Sequence, residues 1–326
     1  MKTLVYSIHS FDQPYLEKAA FNKHQFTFTN QSLSENTANL AKGYEAICIF
    51  TADDANEKTL ELLYDNSIKH IAIRAAGHDN VNLEKCHQLK IKVANAPQYS
   101  PFAIAEHAMT LILCLNRKIN LSQELGKKHD FRLDNLIGFD MKGKTIGIIG
   151  TGRIGATFAR IANGFGCKLL AFDIAQNELL KKEINIRYVS LEELCKNSDI
   201  ISLHCPLNNS TKHLLNQNQF AIMKDGVFII NTSRGSIINT KDLLTALNSK
   251  KIGGAGLDVY EFEKGLFFEN HQQINDELFN QLQANPNVII TPHQAFLTNE
   301  ALKNIADTVI YNLDCWSNNR ASINEI

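Results

Sequence analysis

Gly150, Gly152 and Gly155 stand in the order G-x-G-x-x-G. They lie between an apolar run, Thr145 to Ile149, and a stretch in which Ile154, Phe158, Ile161 and Phe165 recur at helical spacing. Glycines at a strand-to-helix turn let backbone N–H groups at the helix start approach an anion. The turn Gly150, Gly152, Arg153, Ile154 and Gly155 is therefore a candidate cradle for the pyrophosphate of a dinucleotide. A glycine triplet also occurs in loops that bind nothing, so its context matters. A second apolar run, Lys168 to Phe172, ends in Asp173, about twenty residues on, where a carboxylate can bond ribose hydroxyls. Ile174, Ala175 and Gln176 follow it and offer no cation to a ribose phosphate, which favours NAD over NADP. The plainer reading of Asp173 is a strand-end turn former.

Four more apolar runs end in residues able to do chemistry. They lead into His204-Cys205-Pro206-Leu207, Asn231-Thr232-Ser233-Arg234-Gly235, Asp258-Val-Tyr-Glu261-Phe-Glu263 and Thr291-Pro-His293-Gln294. In an open parallel sheet ligands bind beyond the carboxyl ends of the strands, so six such ends on one edge are hard to explain as packing. An arginine can clamp a carboxylate through two parallel hydrogen bonds, and an imidazole exchanges a proton near neutral pH. Taken singly, Arg234 could equally be a surface ion-pair partner and His293 a structural histidine, one of 11 in the chain.

The elements that must position these residues alternate between strand and helix. From residue 1 to about 100 the apolar runs are Leu4 to Ile8, Phe26 to Thr29, Ala46 to Phe50, Ile68 to Arg74 and Ile91 to Ala94. From about 143 six stronger ones follow: Thr145 to Ile149, Leu169 to Phe172, Ile200 to His204, Val227 to Asn231, Gly254 to Asp258 and Val288 to Thr291. This is the pattern of two parallel sheets. Ser190-Leu-Glu-Glu193 reads as a capping box opening one helix, and Ser100-Pro101 opens another over Phe102 to Leu115 that carries the chain into the second domain. Glu106 and His107 sit mid-way along that linking helix, where packing and hydrogen bonding explain them better than acid–base chemistry. The expected domains are residues 1–100 completed by 298–326, and residues 101–297.

At 326 residues the chain suits two domains, and 44% hydrophobic with 21% charged residues argues for folded cores. A net charge of -1 gives no electrostatic footprint for nucleic acid or an anionic membrane, so the partner is expected to be small. The seven cysteines are scattered singly, mostly in apolar runs, and read as reduced core residues of a cytoplasmic protein. No stretch resembles a signal peptide or a membrane span, and no His, Cys and acidic cluster has metal-ligand spacing.

The motifs resemble those of the D-2-hydroxyacid dehydrogenases over nearly the whole chain, through Gly77-His-Asp-Asn-Val81, the glycine triplet, His204-Cys-Pro-Leu207, Asn231-Thr-Ser-Arg-Gly235 and Pro292-His293. The fermentative D-lactate dehydrogenase branch is the most similar, on Tyr99-Ser-Pro101, the segment Asp258 to Glu263, and His293-Gln-Ala-Phe-Leu297. The resemblance implies two doubly wound α/β domains, Rossmann-like and flavodoxin-like, with a cleft between them. It also implies an NAD cofactor and a homodimer or higher homo-oligomer. Arg234 would hold the carboxylate of a 2-oxo acid, with backbone N–H groups around Ala76 and Gly77 on its other side. His293 would protonate the carbonyl oxygen, and Glu263, rather than Glu261, would stabilise the imidazolium. Asp258 would lie near the nicotinamide, His204, Cys205, Pro206, Thr232 and Ser233 along the cofactor, and Phe50, Tyr99 and Phe296 around the substrate methyl group. His78 and Asn82 depart from the family pattern in the carboxylate loop. The implied reaction is NADH-dependent reduction of pyruvate to D-lactate. The alternatives are reduction of hydroxypyruvate or bulkier 2-oxo acids, or an NAD-sensing scaffold like the corepressors that share the fold.

Overall fold

The computed structural model describes residues 1–326, which divide into two compact units: residues 1–100 with 297–326, and residues 101–296. The first unit holds five parallel strands, β1 (Lys2–Val5), β2 (Gln25–Phe28), β3 (Ala46–Ile49), β4 (His70–Ile73) and β5 (Lys92–Ala94), in the order β2-β1-β3-β4-β5. Helices α1 (Gln13–Ala20), α2 (Glu57–Asp65) and α3 (Leu83–Leu89) connect them. That order is the flavodoxin-like doubly wound one. The central strands are buried on both faces: all four residues of β3 are sealed from solvent. Apolar residues on adjacent positions, not alternate ones, are what a parallel sheet covered on both sides demands.

The second unit holds seven parallel strands in the order β12-β11-β10-β9-β6-β7-β8. They are β6 (Thr145–Ile149), β7 (Lys168–Phe172), β8 (Arg187–Tyr188), β9 (Ile200–Leu203), β10 (Val227–Asn231), β11 (Ile252–Leu257) and β12 (Val288–Ile290). The expected count was six. The seventh, β8, is a two-residue edge strand, too short to show an apolar pattern. Between and around the strands lie α4 (Pro101–Asn116), α5 (Ile119–Lys127), α6 (Arg153–Gly164), α7 (Glu178–Ile184), α8 (Leu191–Asn197), α9 (Gln217–Ile222), α10 (Thr240–Asn248) and α11 (Glu277–Ala284). One core, on the face of α4 and α6, includes Leu111, Ile112, Ile146, Ile148, Phe158 and Ile230. The other, under α8 to α11, includes Ile149, Leu203, Phe220, Ile229, Leu243 and Leu257. The Ser190 hydroxyl accepts from the Glu193 amide at 3.1 Å, the N-terminal half of the capping box that opens α8.

Strand order reverses between β6 and β9, because the chain runs outward through β7 and β8 and then crosses back. Their carboxyl ends diverge there into Gly150 and His204, which is where a doubly wound sheet opens a crevice. The chain re-enters the first unit at Leu297, one residue before the expected boundary, and α12 (Asn299–Ser317) lays Val309, Ile310, Leu313 and Trp316 over Val5, Ala46, Cys48 and Ala72.

Candidate active site

The glycine turn is shaped by contacts that a side chain would break. Gly150 has φ +90°, and a Cβ there would lie 2.7 Å from the backbone of His204 and Cys205. A Cβ on Gly155 would stand 2.0 Å from the Gly150 carbonyl oxygen, so α6 can approach β6 only with glycine at that position. Gly152 is the N-cap of α6, supplies no side-chain cap, and faces open space. Uncapped N–H groups at the start of a twelve-residue helix, with room before them, fit a pyrophosphate.

Asp173 caps the end of β7. Its Oδ2 accepts from the Thr151 amide at 2.5 Å and the Thr151 hydroxyl at 3.0 Å, and its Oδ1 from the Ala175 amide at 3.0 Å. Partial burial opposes the charge, but these hydrogen bonds outweigh it and hold the carboxyl below its ordinary range. Asp173 is thus both the turn former and an ionised acceptor. Ile174 beside it is fully exposed.

His204 packs its ring on Phe158, with centroids 4.8 Å apart, and its Nε2 meets the Ser202 hydroxyl at 2.9 Å. Burial pushes its pKa down to about 3, so the ring is neutral. Its Nδ1 and the Thr232 hydroxyl are buried without a hydrogen-bond partner in the protein. Orphaned polar atoms at two adjacent strand ends are what a polar ligand would satisfy. Burial likewise pushes the Cys205 thiol up to about 11, which removes it as a nucleophile. The Cys205 carbonyl accepts from the Ser233 hydroxyl, so the loops after β9 and β10 are tied together. Pro206 is exposed. Together the glycine turn, Asp173 and the orphaned atoms fit a dinucleotide.

Arg234 follows an Asx turn: the Asn231 side chain accepts from the Ser233 amide at 3.0 Å and donates to the Arg234 carbonyl at 2.9 Å. The guanidinium Nη1 donates to the Ser233 carbonyl at 2.9 Å. Behind it Gly235 presses on the Tyr260–Glu261 backbone, where a Cβ would come within 2.0 Å of the Tyr260 carbonyl carbon. The arginine loop and the Glu263 loop are therefore one packed unit.

The two acids of that loop have different partners. Glu263 Oε1 accepts from His293 Nδ1 at 2.8 Å, and its Oε2 accepts from the Tyr260 amide at 2.9 Å. Glu261 is turned away, accepting from His213 Nε2 at 2.6 Å and from the Thr240 amide at 3.0 Å. With Nδ1 committed to Glu263, Nε2 of His293 is left to exchange a proton with a ligand. His293 has φ +53°, uncommon for a residue with a side chain. Its amide is held by the Asp258 carbonyl at 2.8 Å and the Thr291 carbonyl at 2.9 Å. The Phe268 ring lies 6.0 Å from the imidazole, and Phe296 is buried.

Asp258 is sealed from solvent. Its Oδ1 accepts from the Thr291 hydroxyl at 2.6 Å and the Gln294 amide at 2.9 Å, and its Oδ2 from the Ala295 amide at 2.9 Å. Its carboxylate thus anchors the loop that carries His293, a role that composition and spacing did not reveal. Asn231, Tyr260 and Thr291 also hold these loops, and in the sequence only their closeness to a strand end marks them.

In the first unit, Arg74 lies buried at the ends of β1, β3 and β4. Its Nη2 donates to the Tyr6 carbonyl at 3.0 Å and the Ser7 carbonyl at 2.7 Å, while Nε pairs with Asp12 at 3.1 Å. The loop that follows is fixed by Asn95 on the Ala76 carbonyl (2.7 Å) and by Asn80 on the Phe50 carbonyl (3.0 Å). Phe50 is buried, packs on the Arg74 guanidinium at 5.4 Å and meets the His9 ring edge-on at 5.9 Å. The Tyr99 carbonyl accepts from Asn304 at 2.7 Å.

Residues 109–295 match the sequence model of the family described as D-isomer specific 2-hydroxyacid dehydrogenase, NAD binding domain. The chain is 44% identical to D-lactate dehydrogenase of Escherichia coli, with 100% of both proteins covered. It is 41% identical to aromatic 2-oxoacid reductase of Clostridium sporogenes, covering 89% of this chain and 88% of that protein. The apo-structure of the Escherichia coli D-lactate dehydrogenase matches it with a TM-score of 0.90 at 42% identity over 100% of both chains. The chain belongs to the D-isomer-specific 2-hydroxyacid dehydrogenases and, with that family, is an NAD-dependent oxidoreductase.

Proposed function

We propose that the protein reduces pyruvate to D-lactate with NADH. The observation that carries the reading is the His293–Glu263 pair at 2.8 Å, in which the loop bearing Glu263 packs, through Gly235, against the one bearing Arg234. Bound at the glycine turn, Asp173, His204 and Thr232, the cofactor would supply a hydride to the keto carbon of the substrate. Arg234 would hold the substrate carboxylate by a two-pronged hydrogen bond. The imidazolium of His293 would deliver its Nε2 proton to the carbonyl oxygen as charge develops there, while Glu263 stabilises the charged ring. Phe296, buried beyond His293, would bound the space for the methyl group. Asp258 would act through the loop it anchors.

The choice of pyruvate is supported by full-length likeness to a D-lactate dehydrogenase. NADH oxidation measured with pyruvate, hydroxypyruvate and phenylpyruvate, with chiral analysis of the products, tests it: pyruvate should give the highest kcat/KM and D-lactate. A preference for phenylpyruvate would align the protein with the aromatic reductase instead, and an L product would reject the assigned geometry.

We further propose a homodimer through the second unit. Helix α5 has no buried residue, and Phe131, Leu133 and Ile137 after it are 78%, 78% and 88% exposed, an apolar arm that a second copy would cover.

A further inference from the structure

His107 lies in the middle of α4, outside every loop that carries the proposed chemistry, yet its ring reaches the loop of His293. Its Nε2 is 3.0 Å from the Thr291 hydroxyl and 3.3 Å from Asp258 Oδ1. The direction of this chain of hydrogen bonds follows from donor counting. The Asp258 carboxylate can only accept, so the single Thr291 proton goes to Oδ1 at 2.6 Å. Thr291 then has only lone pairs for His107, so Nε2 of His107 must carry a proton and donate it. The chain runs His107 Nε2–H to Thr291 Oγ1–H to Asp258, whose two oxygens also take the Gln294 and Ala295 amides. His293 sits inside the loop spanned by these contacts and holds a left-handed backbone conformation.

We propose that His107 is a positioning residue for catalysis: by orienting the Thr291 hydroxyl toward Asp258, it fixes the loop that places His293. This rests on the reading of His293 as the proton donor. Displacing a reacting group by an ångström costs about 100-fold in rate, so His107→Leu should lose kcat on that order while KM for pyruvate and NADH binding change little. His107→Gln keeps an N–H donor and should recover much of what the leucine variant loses. With 4-deuterated NADH, the isotope effect on kcat should rise in His107→Leu, because a misplaced proton donor makes the chemical step limiting.

The experiment is this kinetic series, with thermal melting of each variant and the imidazole nitrogen-15 shifts of the wild-type protein, in which His107, assigned by its loss in His107→Gln, should show an Nε2–H tautomer. Three results would overturn the proposal: a leucine variant with wild-type kcat and isotope effect, a glutamine variant as impaired as the leucine one with both melting early, or an Nδ1–H tautomer at His107. If the wild-type protein reduces no 2-oxo acid, the proposed function fails instead, and the nitrogen shifts still decide the direction of the hydrogen bonds.

Discussion

Glu261 and Glu263 are two residues apart in one loop, and nothing in their chemistry separates them; their partners do. Because His213 and the Thr240 amide occupy Glu261, Glu263→Gln should lower kcat/KM for reduction strongly, and Glu261→Gln should act mainly on stability. Comparable kinetic losses in both would remove the carboxylate assignment. Arg234→Gln keeps a donor but loses the charge and the two-pronged geometry, and should cost about 3 kcal/mol or more in kcat/KM, roughly 100-fold. Asp173→Ser should relax the preference for NADH by removing a negative charge from beside a ribose phosphate; equal use of NADH and NADPH by the wild-type protein would refute that role. His204 governs a pH response. Its folded pKa of about 3 lies below the ordinary value of 6.5, so between those pH values the unfolded chain binds a proton that the folded one does not. Its contribution is complete above about pH 6.5 and is lost as pH falls toward 3. Burial holds His9, His24 and His70 low as well, so in urea titrations at pH 7 and pH 5.5 the His204→Gln protein should lose less stability on acidification than wild type, without abolishing the loss.

At the scale of elements, the sequence showed the buried strands well because a parallel strand covered on both faces is a plain apolar run, as in Thr145–Ile149 and Val227–Asn231, whose limits agree with the structure. Most other boundaries shift by one or two residues, since the last apolar residue of a run can lie in the loop: His204 and Asp258 each follow their strand. Strand β8 escaped notice because two residues on an edge, paired only with β7, have no periodicity to detect. The contact between α6 and β6 is legible only as a glycine, and it is demanding: in Gly155→Ala the added methyl meets the Gly150 carbonyl oxygen at 2.0 Å. The helix must retreat, and NADH affinity by fluorescence titration should fall together with the melting temperature. If the apolar arm after α5 joins two copies, Ile137→Glu should yield a monomer by light scattering.

On the scale of the whole molecule, the part of the site hardest to read was its support. His107 and Thr291 are 184 positions apart, and only the fold shows that a histidine on the linking helix meets a threonine at the end of the last strand. The residues proposed to face ligands stand out in the sequence because each follows a strand end; those that hold them in place do not, because their partners come from remote segments. The second unit is one continuous stretch, so residues 101–296 expressed alone should fold and bind NADH, whereas removing everything after Phe296 should unfold the first unit and leave the melting of the second in place. Calorimetry of both truncations checks this.

That discontinuity also sets a schedule. On the ribosome the first five strands emerge early, but the face of β1, β3 and β4 bearing Val5, Ala46, Cys48 and Ala72 gains its cover from α12 only after the whole second unit has been made. At 5–20 residues per second, the intervening stretch of roughly 200 residues takes about 10–40 s to synthesise. For that time this apolar sheet face has α1, through Leu16 and Ala20, but not α12 to cover it. The yield of folded protein is therefore expected to depend on translation speed more than its final stability would suggest.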